Sequence, residues 1–329
     1  MNTPKVSIII PLYNRQALVP ETLESIQKQR YPNWEAIIVD DGSSDQSYQV
    51  VEEWVKKDER FRLFRRNREP KGAPTCRNIG LEKSTGELII YLDSDDLLAE
   101  HCLQQRVSAF QQHANYDFLV FPVQFFNNQP GDSSEVWLYE TQEDGLSAFL
   151  LKAQWGTTST IWKKEVLVQL DGFDERLVKL QDSDLHRRAL LYGLDYKVFP
   201  NVVDAYHRQD VKHDSISGQK ANLRAVRSNE YAFFKLHGLL RREGKVNTLR
   251  KEVLAGHLLS VVRDYILLDR KQEAFNVWEK AYEEDIVSRK QYRLTRWYIE
   301  YHMMASEKPS KLVRFIFRRL LPKYLLWHV

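Results

Sequence analysis

The chain has 329 residues, of which 43% are hydrophobic and 28% charged, with a formal net charge of +3. This length suits two folding units and the composition suits an ordinary globular core, while so small a charge gives no electrostatic case for nucleic-acid binding. Two cysteines, Cys76 and Cys102, are too few for a disulfide framework and lack metal-ligand spacing. No segment has the profile of a signal peptide or approaches the roughly 18 consecutive apolar residues of a membrane span, so the expected location is the cytoplasm.

Val6–Ile10 is a β-branched run that predicts a buried strand, ended by Pro11. Val19, Leu23 and Ile26 then share one face of a helix with Pro20 near its start. Ala36–Val39 predicts a second strand, cut off by the turn cluster Asp40–Ser44. Val50, Val51, Trp54 and Val55 mark another amphipathic helix, Leu63-Phe64 a weak third strand, and Cys76–Leu81 a third helix stopped by Gly86. Leu88–Leu92 reads as a strand that runs directly into Asp93-Ser94-Asp95-Asp96. This alternation implies an α/β fold with a largely parallel sheet and helices on both faces.

After about Asp204 the character changes, and from Leu223 to Phe317 the pattern is mostly helical. The boundary is placed near Gly218, separating an α/β domain over residues 1–218 from a helical region over residues 219–329. Beyond Glu307 no acid occurs. At roughly 100° per residue, Leu312, Val313, Ile316, Phe317 and Leu320 share one side of a helix and Lys311, Arg314, Arg318 and Arg319 the other. Such a tail suits docking on anionic lipid of the inner leaflet, as a peripheral membrane protein, or packing on the protein itself or on a second copy in a homo-oligomer.

Ligands of open parallel sheets collect at the carboxyl ends of the strands. Two predicted strands end there in carboxylates, Asp40-Asp41 and Asp93, Asp95 and Asp96. Crowded acids repel one another unless a cation sits among them, and a divalent ion against a diphosphate is the simplest resident. A solvated turn or a helix cap at Asp96 is the plainer account. Tyr13 and Asp41, just past strand ends, have the chemistry to stack on a base and accept from its N–H. A dinucleotide fingerprint is absent, because Pro11-Leu12-Tyr13-Asn14 follows the first strand in place of a glycine-rich turn. A second acidic region runs from Gly172-Phe173-Asp174-Glu175 to Gln181-Asp182-Ser183-Asp184, leading into a helix with Leu185, Ala189 and Leu190 on its apolar face. Asp182 there is either a dipole-complementing cap or a general base for a hydroxyl.

Four segments, Val6–Asn14, Ile38–Asp45, Arg77-Asn78-Ile79-Gly80 and Leu92–Asp96, resemble in order and spacing the inverting glycosyltransferase family 2 enzymes of bacterial polysaccharide synthesis, which have a GT-A fold. The likeness covers residues 5 to 215 and implies a Rossmann-like, mostly parallel nucleotide-binding sheet. It also implies a nucleotide-sugar donor, by default a UDP-sugar, and a glycan or lipid-linked acceptor. By this resemblance Tyr13 and Asp41 hold the nucleobase, with Asn14 beside them and Pro11 shaping the pocket. Arg77 contacts the nucleotide and Asp93 the ribose. Asp95 binds Mn2+ or Mg2+ against the diphosphate, with His213 as a further ligand and His207 as a weaker candidate. Asp182 falls at the catalytic base, and Trp155-Gly156-Thr157 at the acceptor-side segment, where Trp155 is a sugar platform or a core residue. Two positions depart from the pattern: Gln181 replaces the usual Glu before the base, and Glu100 a proline after the metal motif. The expected activity is metal-dependent, inverting transfer of a hexose or N-acetylhexosamine. A non-catalytic nucleotide-sugar-binding protein and a sugar nucleotidyltransferase are the competing readings.

Overall fold

The computed structural model describes residues 3–138, 144–209 and 222–304. In chain order it runs β1 (Val6–Leu12), α1 (Val19–Gln27), β2 (Trp34–Asp40), α2 (Ser47–Lys57), β3 (Phe61–Arg65), α3 (Ala73–Lys83), β4 (Leu88–Tyr91), β5 (Leu97–Leu98), α4 (Cys102–Gln112), β6 (Phe118–Val120), β7 (Val123–Phe126) and β8 (Val136–Trp137). There follow α5 (Gly145–Leu151), β9 (Thr160–Lys163), α6 (Lys164–Gln169), α7 (Gln181–Leu191), β10 (Tyr196–Val198) and β11 (Ala205–Arg208). The last helices are α8 (Leu223–Arg242), α9 (Thr248–Leu267), α10 (Lys271–Glu283) and α11 (Arg289–Met304). Contacts divide the chain into two units, one of residues 1–142, 153–176 and 181–213, the other of residues 143–152, 177–180 and 214–329. Gly218 and the basic tail lie outside the described residues.

The first unit is built on a seven-stranded sheet in the order β10-β6-β9-β4-β1-β2-β3. β1 pairs in parallel with β2 and β4, β2 with β3, and β6 with β10, while β9 runs antiparallel between β4 and β6. Every residue of β1 and β2 is buried, which is why both strands read as apolar runs without alternation. On one face Val6, Ile8, Ile10 and Leu12 pack with Val19, Leu23 and Ile26 of α1 and with Leu103, Val107 and Phe110 of α4. On the other, Ile37 and Val39 meet Cys76 and Ile79 of α3. Each such side chain contributes about 1.5–3 kcal/mol through burial.

β1 does not stop at Pro11. It continues to Leu12, with Pro11 opposite Val39 of β2. The Ile9 carbonyl accepts the Leu92 N–H and the Leu12 carbonyl accepts the Asp41 N–H, so odd-numbered residues of β1 face β4 and even-numbered ones face β2. Pro11 therefore lacks its N–H on the side that β4 has already left, and no ladder bond is lost.

A second, smaller sheet in the order β5-β11-β7-β8 was not legible in the sequence. Its strands have two to four residues. The Arg106 guanidinium of α4, fully buried, forms a fork with Asp204 at 2.6 and 2.8 Å and also donates to the Thr158 carbonyl at 2.9 Å. That fork fixes the approach to β11 and the loop before β9.

The second unit holds α5 and the helices from α8 onward. Asp144, Asn222 and Asn247 cap α5, α8 and α9 by accepting the N–H groups of Ser147, Ala225 and Arg250. Arg250 donates to Asp144 and to the Ser147 hydroxyl, tying α9 to the start of α5. None of the described helices is long and apolar enough to cross a membrane.

Candidate active site

The parallel register places the carboxyl ends of β1, β2 and β4 side by side, and the loops that leave them hold one another. Asn14 sits in the left-handed region at φ 50°, a conformation asparagine tolerates better than most residues. Its backbone N–H donates to the Ser43 hydroxyl, and its side-chain carbonyl accepts the Ser44 N–H at 2.8 Å. The Arg15 N–H donates to the Ser47 hydroxyl at 2.7 Å, and the Gln16 N–H donates to Asp45. Asp40 turns back to accept the N–H groups of Gly42 and Ser43, so it serves the turn. Asp41 is buried and accepts from Arg66 Nε at 2.7 Å and from the Gly72 N–H at 3.2 Å. Tyr13 stands out at 44% exposure, with Lys71 Nζ 3.8 Å from its ring centroid. An aromatic face with a fixed carboxylate close by in the chain fold is the equipment a nucleobase requires.

The three acids after β4 have different fates. Asp96 is buried and accepts from the Thr158 hydroxyl, His207 Nδ1 and the Arg208 N–H, so it fastens β11 to the β4 end. Burial would lower the His207 pKa, but Asp96 facing it raises it to about 9, so the ring is protonated at neutral pH. Asp93 accepts from Arg77 Nη2 at 2.6 Å; desolvation works against its charge, yet Arg77 holds its carboxyl below the ordinary range. Asp95 accepts from Arg15 Nε at 3.0 Å through Oδ2, and Oδ1 accepts no hydrogen bond among the described residues. Desolvation, then Asp96 and Asp93, push its pKa up to about 6 against the pull of Arg15.

Arg77 connects this cluster to the second acidic region. Its Nη1 donates to Gln181 Oε1 at 2.8 Å, 104 residues away in sequence. Gln181 and Asp182 open α7, and Asp182 Oδ1 accepts the Ser183 N–H at 2.8 Å. Desolvation raises the Asp182 pKa, opposed by that N–H and by Arg77 and reinforced by Asp93. Asp182 is thus within electrostatic reach of the Arg77–Asp93 pair. The four residues of the Arg77 motif do four different things. Arg77 faces the acids, while Asn78 exchanges two hydrogen bonds of 2.8 Å with Phe173 and so positions the segment that leads to α7. Ile79 is core, and Gly80 lies so close to β1 that a Cβ there would sit 2.3 Å from Ile9 Cγ2.

Trp155 is a core residue. Its side chain is 4% exposed and its ring packs among Phe118, His186 and Tyr196, so it offers no platform to a sugar. Gly156 is also buried, against the ring of Trp137, where a Cβ would come within 2.7 Å. Thr157 is half-buried, and its carbonyl accepts from the Thr160 hydroxyl. The buried His186, between Trp155 and Trp162, has its pKa lowered to about 3 by desolvation and then by Arg188, and is a neutral core ring. Glu100 lies at the surface beside Arg30. His213 lies outside the described residues. Arg15, Thr158 and Arg208, each bonded to an acid of the cluster or its backbone, were given no role at the acids by the sequence; the cues were that Arg15 and Arg208 directly follow Asn14 and His207 and that Thr158 follows Thr157 in the acceptor-side segment.

Among the described residues no three His, Cys, Asp or Glu side chains form a ready cage for a metal ion. The donor set nevertheless fits Mg2+ or Mn2+ bound jointly with a diphosphate, since such ions take one or two carboxylates and complete their shell with phosphate and water. Asp95, with one oxygen unbonded and its charge disfavoured by two neighbouring acids, is the carboxylate with capacity to spare.

The sequence profile of Glycosyl transferase family 2 matches residues 7–163. An uncharacterized glycosyltransferase of Haemophilus influenzae is 31% identical over 223 residues, 66% of this chain and 74% of the relative. The GalNAc(5)-diNAcBac-PP-undecaprenol beta-1,3-glucosyltransferase of Campylobacter jejuni is 32% identical over 50% of this chain and 53% of its own length. The match spans 49% and 43% of two other relatives, from Haemophilus influenzae and Bacillus subtilis. Among solved structures, Staphylococcus aureus TarS 1-349 in complex with UDP-GlcNAc superposes with a TM-score of 0.68 at 20% identity, over 91% of this chain and 87% of that one. A mannosyltransferase of Pyrobaculum calidifontis in complex with GDP-Man and Mn2+ gives a TM-score of 0.56 at 20% identity, over 99% of this chain and 86% of that one. At these identities the two structures speak for the fold alone, and it is the GT-A fold that the sequence led us to expect. Sequence profile, a relative matched over 74% of its length and strand-end carboxylates agree: the chain is a glycosyltransferase of family 2.

Proposed function

We propose that the enzyme transfers a hexose or N-acetylhexosamine from a nucleoside diphosphate, with UDP as the first choice, to a hydroxyl of a glycan or lipid-linked acceptor, and that the anomeric centre inverts. One observation carries this reading: Arg77 bonds to both Asp93 and Gln181. That bridge brings the acids after β4 to the start of α7, as a donor end and an acceptor end must be brought together. Arg15 extends the same chain of contacts from Asp95 to the loops around Tyr13 and Asp41.

In this mechanism the base stacks on Tyr13 and donates to Asp41, and Asp93 receives the ribose. Asp95 holds the Mg2+ or Mn2+, which when bound neutralises the diphosphate and stabilises the charge growing on it. Asp182 accepts the proton of the acceptor hydroxyl; that oxygen bonds to the anomeric carbon as the carbon–oxygen bond to the diphosphate breaks on the opposite face. Desolvation raises the Asp182 pKa, which makes it a stronger base than an ordinary aspartate. Positioning by Arg77 and the loops supplies much of the remaining rate.

UDP-GlcNAc in TarS and GDP-Man with Mn2+ in the mannosyltransferase support a nucleotide-sugar donor and a divalent ion. The name of the Campylobacter relative supports a lipid-linked acceptor. We place the enzyme on the cytoplasmic side, with the tail from Lys308 reaching anionic lipid. The test is turnover of UDP-, GDP- and dTDP-sugars with Mn2+, Mg2+ or EDTA, the product anomer being read by NMR. The expected result is metal-dependent turnover of one nucleotide class with inversion. Undiminished turnover in EDTA, or retention of configuration, overturns the reading.

A further inference from the structure

Each acid of the β4 cluster has its own cationic neighbour, but the three pairs are not alike. Asp96 is buried and bonded on both oxygens to three partners, which makes it a permanent part of the fold. Arg77, the partner of Asp93, is itself buried and anchored a second time on Gln181. The Arg15–Asp95 pair is the loose one. A single Nε–Oδ2 contact of 3.0 Å joins them, and the side chains are 25% and 27% exposed. Among the described residues the guanidinium bonds, besides Asp95, only its neighbour's backbone, donating from Nη1 to the Asn14 carbonyl at 3.2 Å.

The root of Arg15 is fixed, in contrast to its head. The Arg15 N–H is held by Ser47, and the flanking Asn14 and Gln16 are held by Ser43, Ser44 and Asp45. The side chain therefore starts beside the loops that carry Tyr13 and Asp41 and ends on Asp95. A diphosphate running from the base end to the metal end must pass along it, and its oxygens can take the guanidinium in exchange for the carboxylate.

We infer that Arg15 is a positioning residue that stands in for the metal: it occupies Asp95 in the empty enzyme and moves to the diphosphate when nucleotide and cation arrive together. This rests on Asp95 being the metal ligand. The exchange makes cation binding depend on nucleotide, since without a phosphate to receive Arg15 the incoming ion must displace a paired charge. In the loaded state the same guanidinium lies against the leaving group. Charge is conserved in the swap: one cationic side chain leaves the carboxylate as a divalent ion enters, and the nucleotide's negative charge covers the difference.

The test is Mn2+ binding to the full-length protein, followed by loss of the free-ion EPR signal, with and without UDP or GDP. The proteins are wild type, Arg15→Gln, Arg15→Lys and Asp95→Asn. Arg15→Gln is expected to bind Mn2+ alone about fivefold more tightly than wild type, the size of one partly exposed ion pair, and to lose about as much nucleotide affinity. Arg15→Lys, which keeps the charge and reports on folding, is expected to lie near wild type. If Arg15→Gln binds Mn2+ alone no better than wild type while Asp95→Asn abolishes the nucleotide-dependent site, the stand-in role is refuted and the metal role survives. If Asp95→Asn binds Mn2+ with nucleotide as wild type does, the underlying metal assignment is the part that fails.

Discussion

Two carboxylates of one sheet, Glu35 at the start of β2 and Asp95 beyond the end of β4, are shifted in opposite directions. Glu35 is buried, and desolvation alone would raise its pKa. The Ser7 hydroxyl, the N–H and hydroxyl of Thr85, and Arg62 all donate to it and bring it down to about 2. Asp95 has one donor and two acidic neighbours and goes up to about 6. The first is over-provided with partners and holds the sheet. The second is left short of partners where the strands open, as the metal ligand of the proposed mechanism would be. The same contrast separates a carboxylate that stabilises the fold from one that costs it stability.

Mutations can break or sharpen this comparison. The largest effect should come from Asp182→Asn, which removes the proton acceptor and is expected to lower kcat by about 10²–10⁴-fold with nucleotide affinity unchanged; single-turnover assays and calorimetry with the donor check both halves. Asp95→Asn should cut transfer by about 10²-fold or more through loss of the metal contribution. It should leave the melting temperature equal or higher, because it relieves repulsion within the cluster; a marked loss of stability would contradict the contrast drawn here. Glu35→Ala should do the reverse, costing about 2–3 kcal/mol in denaturant unfolding and sparing donor affinity, with the cost moderated by the exposure of Lys5 and Arg62.

Smaller effects test the remaining links. Gly80→Ala should cost about 1–2 kcal/mol by pressing on Ile9, and in a double-mutant cycle Gly80→Ala combined with Ile9→Ala should cost less than the sum of the two single changes. For pH, the depressed Glu35 contributes stability that is present above its ordinary pKa of 4.5 and lost as pH falls toward about 2. In the proposed mechanism Asp182 acts as the carboxylate, and its pKa is raised, so the acid limb of kcat/KM should lie above 3.8, the ordinary aspartate value. A limb at or below that value removes the base assignment.

The sequence revealed the strands that are buried on both faces, because Ala36–Val39 and Leu88–Leu92 are apolar runs, Val6–Ile10 is broken only by Ser7, and their turns are rich in Asp, Gly and Ser. Leu223 as the start of the helical region was legible from periodicity, and the structure opens α8 at the same residue. The second sheet was not, because strands of two to four residues are too short to show alternation. Trp155 could not be assigned from sequence, since a tryptophan has the same chemistry in a core as on a platform and only its neighbours decide. Arg15 was missed for a related reason: its partner is 80 residues away, and no local pattern records such a pairing.

Pro11 has a consequence beyond its own strand. A ladder between β1 and β4 could otherwise zip two residues further, and the Asp93 segment would then run as flat strand. With no amide hydrogen to offer on that flank, proline makes the continuation unrewarding, and the two chains part at this rung. The parting of β1 and β4 is thus written into the covalent structure of one imino acid, and the segment carrying Asp93 is free to turn away from the sheet.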